Sequence, residues 1–243
     1  MKKILIIKHG AFGDVVLSLF PIAAIRKVNK NSHITILTEK RFLNLFKLCP
    51  WVDDIKVDNR YGIKSPIKSL KIFNWLIKSK FDFVYDLQTS FRSSLYFYLI
   101  SIKRKTLWSG IAIGCSHNHK SKQRNLMHTI DRQAEQLKIT GIKKILKADL
   151  SWLRADIKKF KLPKKYGLII PGGSKNRLEK RWPEENFSII SINMIKNGII
   201  PVIIGDKDER DISKKIASKS NQIINLVGIT SFVEIAELSR NSI

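Results

Sequence analysis

The first 28 residues contain the feature that most constrains the fold: an apolar run, a glycine-containing turn and a second apolar segment. Residues 4–7 predict a buried strand, and residues 15–28, apolar at helical spacing, predict a helix. Gly10 and Gly13 lie in the turn between them, where glycine lets a ligand approach the backbone closely. Asp14 falls at the start of the helix and the carboxyl end of the strand, the edge where open α/β sheets bind ligands.

A purely structural interpretation of this turn stays open at this point. Two glycines and an aspartate between a strand and a helix also occur as a plain turn with an N-cap. The spacing G-x-x-G-D differs from the dinucleotide fingerprint G-x-G-x-x-G, so the turn does not predict a dinucleotide site.

The alternation of strand and helix continues along the chain, is interrupted at residues 158–165, and then restarts. Residues 114–125 are polar and basic and predict a mobile loop, and residues 158–165 predict a linker. The pattern predicts an α/β protein with two doubly wound domains, residues 1–160 and 161–243, and a cleft between them. The predicted strands are 4–7, 33–37, 55–57, 81–87, 105–109, 167–170, 199–204 and 223–226; the predicted helices are 15–28, 41–48, 67–79, 90–100, 127–137, 182–196, 209–217 and 231–238.

The charge is large and unevenly distributed. The chain has 45 basic and 20 acidic residues, a net charge of +25; residues 1–165 hold 34 and 11 of these, a net +23. This asymmetry predicts an anionic partner for the first part, either a phosphorylated lipid or membrane surface or a nucleic acid. Compositional drift is the alternative, because lysine supplies 33 of the basic residues. We find no zinc-finger, RRM or basic-zipper pattern.

Two further features bear on the environment of the protein. No apolar run approaches the roughly 20 residues of a membrane span. Cys49 and Cys115 are far apart and lack metal-ligand spacing. The cysteine usage is typical of a reducing cytoplasm.

A second group of candidate binding residues follows the strand predicted at 167–170. Gly172, Gly173 and Ser174 offer backbone N–H groups and a hydroxyl suited to phosphate, and Lys180 and Arg181 add positive charge. An ordinary loop with solvated charges is the alternative.

Farther along the chain, Glu209 is a candidate to accept hydrogen bonds from ribose hydroxyls. It could equally lie in a first helical turn for reasons of the helix dipole. Thr230 or Ser231 is a candidate N-cap for the last predicted helix.

Five motifs in order resemble the ADP-heptose–lipopolysaccharide heptosyltransferases, glycosyltransferase family 9. They are I-L-I-I-K-H-G-A-F-G-D-V-V, Y-D-L-Q-T-S-F-R-S-S-L, P-G-G-S followed by K-R-W-P, I-I-G-D-K-D-E-R, and L-V-G-I-T-S-F-V-E-I-A-E-L. The resemblance implies a GT-B fold with two facing Rossmann-like domains. The first would bind the acceptor and the second the nucleotide-sugar.

The resemblance also implies roles for particular residues. Asp14 matches the catalytic base of an inverting transfer that needs no metal or cofactor, and a carboxylate there can take the proton of an acceptor hydroxyl. Lys180 matches a phosphate-binding lysine, Glu209 the acid on the ribose, and Thr230 the residue against adenine. The predicted donor-binding set is Gly173, Ser174, Lys180, Arg181, Glu209 and Thr230. The predicted acceptor-binding set is Gly10, Gly13, Arg60, Lys64, Gln88, Arg92, His128 and Arg132.

The expected partners are ADP-heptose, a phosphorylated lipid-linked oligosaccharide and an anionic membrane at the cytoplasmic face of the inner membrane, and no nucleic acid. The alternatives are transfer of another nucleotide-sugar to a cell-surface glycan, and a non-catalytic basic protein that binds RNA or anionic membrane. The family's Asn-Asp-Thr-Gly-Pro-x-His-like segment would follow the helix that ends near residues 238–241. We therefore expect the chain to be a piece of a longer reading frame with an incomplete second domain.

Overall fold

A computed structural model of the chain divides into two compact units, Met1–Trp152 and Leu153–Ile243. It describes residues 1–60, 65–102, 105–145, 147–173 and 181–243. The segment 158–165, predicted as a linker, lies in the second unit, because Phe160 and Leu162 pack against the core of that unit.

The first unit is built on six parallel strands in the order β3-β2-β1-β4-β5-β6. The strands are β1 Lys3–Ile7, β2 His33–Thr38, β3 Asp54–Val57, β4 Phe83–Asp86, β5 Leu107–Gly110 and β6 His117–Asn118. The helices are α1 Phe12–Val28, α2 Leu43–Leu48, α3 Pro66–Ser79, α4 Phe91–Ser101 and α5 Thr129–Lys138, with a 3-10 turn at Lys40–Phe42.

The centre of this sheet confirms the prediction from the apolar run. Residues 4–7 are completely buried, as expected of a central parallel strand covered on both faces. Strand order reverses between β1 and β4, so the chain leaves the sheet in opposite directions at their carboxyl ends. That switch point is where doubly wound sheets bind ligands. Asp14 lies beside it, in the first turn of α1, as predicted.

One short strand falls within a region predicted as a loop. β6 pairs with β5 through only two residues, Ser109 with His117 and Gly110 with Asn118. A two-residue pairing has no alternating pattern, and the polar character of residues 114–125 therefore predicted a loop.

The second unit contains three parallel strands in the order β7-β8-β9. Val202 and Ile203 are adjacent in β8 but belong to different cores, since successive side chains point to opposite faces of a sheet. The strands are β7 Tyr166–Ile169, β8 Ile200–Ile203 and β9 Ile224–Asn225; the helices are α6 Glu184–Lys196, α7 Arg210–Ala217 and α8 Phe232–Asn241, with 3-10 turns at Lys158–Phe160 and Lys207–Glu209.

The helices of both units are short compared with the thickness of a bilayer. Within the described ranges, none is long and apolar enough to cross a membrane.

Candidate functional site

The loop after β1 is held in place from the loop after β4. The Gln88 side-chain oxygen accepts hydrogen bonds from the backbone N–H groups of His9 (2.9 Å) and Gly10 (3.3 Å). Gln88 was predicted to contact the acceptor. In the structure its amide oxygen shapes the loop that leads to Asp14.

Asp14 is half-buried in the first turn of α1, and one of its carboxylate oxygens has a partner. The hydroxyl of Thr129, the first residue of α5, donates a hydrogen bond of 3.0 Å to Asp14 Oδ1. Oδ2 accepts no hydrogen bond from any residue that the structure describes. The carboxylate is thus oriented through one oxygen, and the other is available to take a proton.

The position of α5, and hence of Thr129, depends on a buried amide. Gln136 Nε2 donates to the backbone oxygens of Asp86 (2.8 Å) and Ser109 (3.3 Å) at the ends of β4 and β5. At the start of α5, the His128 ring accepts a hydrogen bond from the backbone N–H of Ile130 at 3.4 Å. His128, predicted as an acceptor ligand, is therefore the N-cap of this helix.

Lys8 places a buried cation at the end of β1. Burial lowers the pKa of its ammonium to about 8, although the charges of Asp14 and Asp86 act in the opposite direction. The charge of Arg132 lowers it further. Arg132, another predicted acceptor ligand, thus lies in the electrostatic environment of Lys8, and its Nε has no hydrogen-bond partner among the described residues.

Two arginines share one carboxylate beside the loop. Arg41 Nε lies 2.9 Å from Glu39 Oε2, and Arg60 is paired with Oε1 of the same residue. The guanidinium of Arg41 also lies over the Phe42 ring, 4.7 Å from its centroid. A Cβ atom on Gly10 would be 2.7 Å from Arg41 Nη2, so the guanidinium lies directly against Gly10.

This pair has the chemistry of an anion site. The side chains of Arg41 and Arg60 remain 52% and 43% exposed, whereas that of Glu39 is 13% exposed. Guanidinium groups have five donors each and bind carboxylate or phosphate in a bidentate manner. Sequence reasoning found Arg60 but missed Glu39 and Arg41. Their position immediately after β2, at the carboxyl edge of the sheet, was the available signal.

A fully buried aspartate joins three parts of the first unit. Asp58, directly after β3, lies 3.3 Å from His9 Nε2 and 3.2 Å from Arg92, and it accepts hydrogen bonds from the Tyr96 hydroxyl and the backbone of Arg60. Burial opposes its ionisation, but His9, the Tyr96 hydroxyl and the backbone N–H of Arg60 outweigh burial and hold the pKa of Asp58 well below the usual range.

The same network determines the role of Arg92. Its guanidinium contacts Asp58 and also donates to the Tyr96 hydroxyl at 2.5 Å. Arg92 was predicted to bind the acceptor, and here it contributes to the internal network. Asp58 itself was not predicted, although it follows a strand at the edge that binds ligands.

The second unit brings Glu209 against a glycine turn. Glu209 Oε2 accepts a hydrogen bond of 2.8 Å from the backbone N–H of Asp206, which closes a capping box. A Cβ atom on Gly172 would lie 2.6 Å from both Cγ and Cδ of Glu209. A glycine at position 172 is therefore what permits the side chain of Glu209 to lie at the carboxyl end of β7.

Three other predicted donor residues, Gly173, Arg181 and Thr230, belong to the described part of the chain. The Gly173 carbonyl accepts a hydrogen bond of 3.1 Å from Arg181. Thr230 Oγ1 is buried and unpartnered within the described ranges, and Ser231 rather than Thr230 caps α8.

Four predicted site residues remain. Gly13 and Lys64 belong to the acceptor set, and Ser174 and Lys180 belong to the donor set. Gly13 lies at the start of α1, where a Cβ atom would meet no described atom within 4 Å. Lys64, Ser174 and Lys180 lie outside the described residues.

Three solved structures are similar to this chain in fold. The glycosyltransferase family 9 protein of Veillonella parvula DSM 2008 is 18% identical, with a TM-score of 0.78 over 99% of this chain and 74% of that chain. Escherichia coli ADP-heptose lps heptosyltransferase II is 19% identical, with a TM-score of 0.71 over 98% and 76%. E. coli heptosyltransferase WaaC with ADP-2-deoxy-2-fluoro heptose is 19% identical, with a TM-score of 0.71 over 97% and 79%.

The likeness to these structures confirms the predicted α/β, GT-B-like fold class. No match was found among curated protein sequences. The sequence model of glycosyltransferase family 9 (heptosyltransferase) matches residues 69–241, well over half of the chain. The chain therefore belongs to glycosyltransferase family 9 and is a glycosyltransferase of the heptosyltransferase kind.

Proposed function

We propose that the enzyme transfers heptose from ADP-heptose to the inner core of lipopolysaccharide, with inversion and with Asp14 as the general base. In this reaction the acceptor hydroxyl gives its proton to the Asp14 carboxylate while its oxygen bonds to the anomeric carbon of the sugar. The bond from that carbon to the diphosphate breaks, and ADP leaves with the electron pair. No metal or cofactor is assigned a role.

The observation that carries this proposal is the state of the Asp14 carboxylate. Thr129 orients it through Oδ1, and Oδ2 accepts no hydrogen bond from the described residues. The carboxylate is also at the switch point of the sheet, where substrates bind in this architecture. A base needs an oxygen that can accept the proton it removes, and an Oδ2 that accepts no hydrogen bond from the described residues can do so.

The choice of donor is supported by the family and by one structural neighbour. The family is described as heptosyltransferases, and WaaC has a structure with ADP-2-deoxy-2-fluoro heptose. We assign the nucleotide to the turn formed by Gly172, Gly173 and Glu209 in the second unit.

The choice of acceptor is supported by the charges beside the loop that leads to Asp14. Arg41 and Arg60 share Glu39 and leave their remaining donors exposed next to Gly10, four residues before Asp14. We assign to this pair an anionic group of the acceptor, a sugar carboxylate or phosphate. A phosphorylated, lipid-linked acceptor implies work at the cytoplasmic face of the inner membrane.

The test is a transfer assay with Asp14→Asn, and Asp131→Asn, an exposed aspartate in the first turn of α5, is the matched control. We expect Asp14→Asn to lower kcat by about two to four orders of magnitude. Affinity for ADP, measured by calorimetry, and the activity of the control should be unchanged. Near-normal turnover by Asp14→Asn would show that the base lies elsewhere. Faster turnover with another nucleotide-sugar would overturn the assignment of the donor.

A further inference from the structure

The outward face of α4 has large apolar side chains from its first residue to its C-terminal end, with Ser94 and Ser101 as uncharged polar members. Although 27% of the chain is charged, α4 contains a single charged residue, Arg92, which contacts Asp58 and Tyr96. Residues at positions 91, 95, 98 and 102 recur at helical spacing and form one stripe. All four are exposed: Phe91 (81%), Leu95, Tyr98 and Ile102 (78%).

The neighbouring helix extends this surface and surrounds it with positive charge. α3 packs beside α4 and exposes Ile67 and Leu70. It also carries exposed lysines at positions 68, 71 and 78, and neither helix contains an acidic residue. We define the α3–α4 face as Ile67, Leu70, Phe91, Leu95, Tyr98 and Ile102 together with Lys68, Lys71 and Lys78.

This face begins at the same edge of the sheet as the candidate acceptor site. α3 follows β3 and α4 follows β4, so both helices start at the carboxyl ends of parallel strands. Phe91 comes three residues after Gln88, which holds the loop that leads to Asp14. A surface lying against the α3–α4 face is therefore next to the edge where the acceptor hydroxyl would be deprotonated.

We propose that the α3–α4 face is the surface with which the enzyme lies on an anionic phospholipid bilayer. Aromatic and aliphatic side chains on one side of a helix bury in the interface between headgroups and acyl chains, and flanking lysines are attracted to lipid phosphates. The inference rests on the proposed function in one respect, because a lipid-linked acceptor would be met at that surface.

Charge complementarity favours a bilayer over a second copy of this chain. An isologous contact would place the face against itself and bring the lysines of α3 towards those of the partner. A bilayer of acidic lipid instead supplies the opposite charge. The net +23 of residues 1–165 acts in the same direction.

The experiment is sedimentation of the full chain with vesicles of phosphatidylglycerol and phosphatidylcholine, compared with vesicles of phosphatidylcholine alone. We expect Phe91→Gln/Leu95→Gln/Ile102→Gln to lower the partition coefficient for the anionic vesicles at least about tenfold. The control is Val28→Gln/Ile139→Gln, which removes exposed apolar side chains at the ends of α1 and α5. The control should bind within about twofold of the unchanged chain.

A second variant tests the same face if the triple substitution disturbs folding. Lys71→Glu/Lys78→Glu should weaken binding to the anionic vesicles and leave binding to phosphatidylcholine unchanged. Equal binding by all variants would overturn the proposal. So would a dimer in ultracentrifugation that the triple variant abolishes while its vesicle binding persists. Calorimetry with ADP separates the two proposals. If the full chain binds the vesicles as expected but does not bind ADP, only the proposed function is contradicted.

Discussion

The hydroxyl of Thr129 donates a hydrogen bond of 3.0 Å to Asp14 Oδ1, and the two residues are 115 positions apart in the chain. Thr129 opens α5 and Asp14 lies in the first turn of α1, two helices that pack against each other. The bond fixes which oxygen of the carboxylate is presented to a substrate. Thr129 is therefore a positioning residue for the proposed base.

Removal of this hydroxyl should slow the reaction without weakening donor binding. We expect Thr129→Val to lower kcat about tenfold or more, since a hydrogen bond to a charged group contributes about 1.5–3 kcal/mol. Thr129→Ser should recover most of the activity. Thr140→Val is the control, because that hydroxyl donates to the backbone oxygen of Leu137 and not to a carboxylate. A Thr129→Val enzyme with normal kcat would show that the bond does not orient the base.

The contact between Gly10 and Arg41 gives a second prediction. A methyl group on Gly10 would lie 2.7 Å from Arg41 Nη2 and would displace the end of that flexible side chain. Gly10→Ala and Arg41→Ala should therefore each raise the KM for the acceptor roughly tenfold, as expected for a charged hydrogen bond lost. The double variant should be little worse than either, because both changes remove the same interaction.

Steady-state kinetics with separate variation of donor and acceptor provides the measurement. The KM for the donor should not change. Arg154→Ala is the control, since Arg154 is paired with Glu237 in the second unit and is similarly exposed. Additive effects of Gly10→Ala and Arg41→Ala would contradict the proposed anion site.

The backbone of the site could be predicted from the sequence because its signals are local. The apolar run at residues 4–7 and the glycines after it are enough to predict β1, the turn and Asp14 at the start of α1. The edge of a parallel sheet then identifies Asp14 as a candidate, whatever the rest of the chain does.

The partners of these residues could not be predicted because they come from distant parts of the chain. Asp58 looks like a polar residue after a short strand, and only the fold surrounds it with His9, Arg92 and Tyr96. In the sequence, Arg41 is an ordinary charged residue of a short predicted helix. Only the fold, in which it follows β2, shows that it lies against Gly10. The structural contacts of Gln88 and His128, which hold a loop and cap a helix, were likewise not evident from the sequence.

The Asp58 network should contribute strongly to stability. Asparagine at this position removes the charge and one of the two oxygens that accept from Arg92 and Tyr96, and it places an NH2 donor among donors. Asp58→Asn should lower the free energy of unfolding by about 3–5 kcal/mol, the usual cost of breaking a buried ion pair. Tyr96→Phe should cost less, about 1–3 kcal/mol. Urea denaturation measures both free energies of unfolding. A smaller loss for Asp58→Asn than for Tyr96→Phe would contradict a central role for Asp58.

Asp86 should make the free energy of unfolding decrease as the pH rises. Burial raises its pKa from 3.8 to about 6, and hydrogen bonds from Thr89, Ser93 and Gln88 only partly offset this. Between these pH values the folded chain keeps a proton that the unfolded chain releases. Stability due to Asp86 is therefore present below pH 3.8, declines as the pH rises to about 6, and does not return above it.

Urea denaturation of Asp86→Asn across this range tests that relationship. The variant has no proton to lose, so its free energy of unfolding relative to the unchanged chain should rise by up to about 3 kcal/mol between pH 4 and 7. A constant difference across the range would mean that Asp86 is not the titrating group.

Glu209 should distinguish nucleotides by their ribose. Its Oε2 accepts from the backbone of Asp206, while Oε1 lies at the Gly172 turn, 2.8 Å from the position of a Cβ on that glycine. If Oε1 accepts from a ribose hydroxyl, the unchanged chain should bind ADP about tenfold more tightly than 2′-deoxy-ADP, and Glu209→Gln should reduce that preference. Calorimetry with the two nucleotides is the measurement.

Glu234→Gln, which alters the equivalent capping box of α8, is the control and should keep the preference. An unchanged preference in Glu209→Gln would limit Glu209 to the capping box and place the ribose elsewhere.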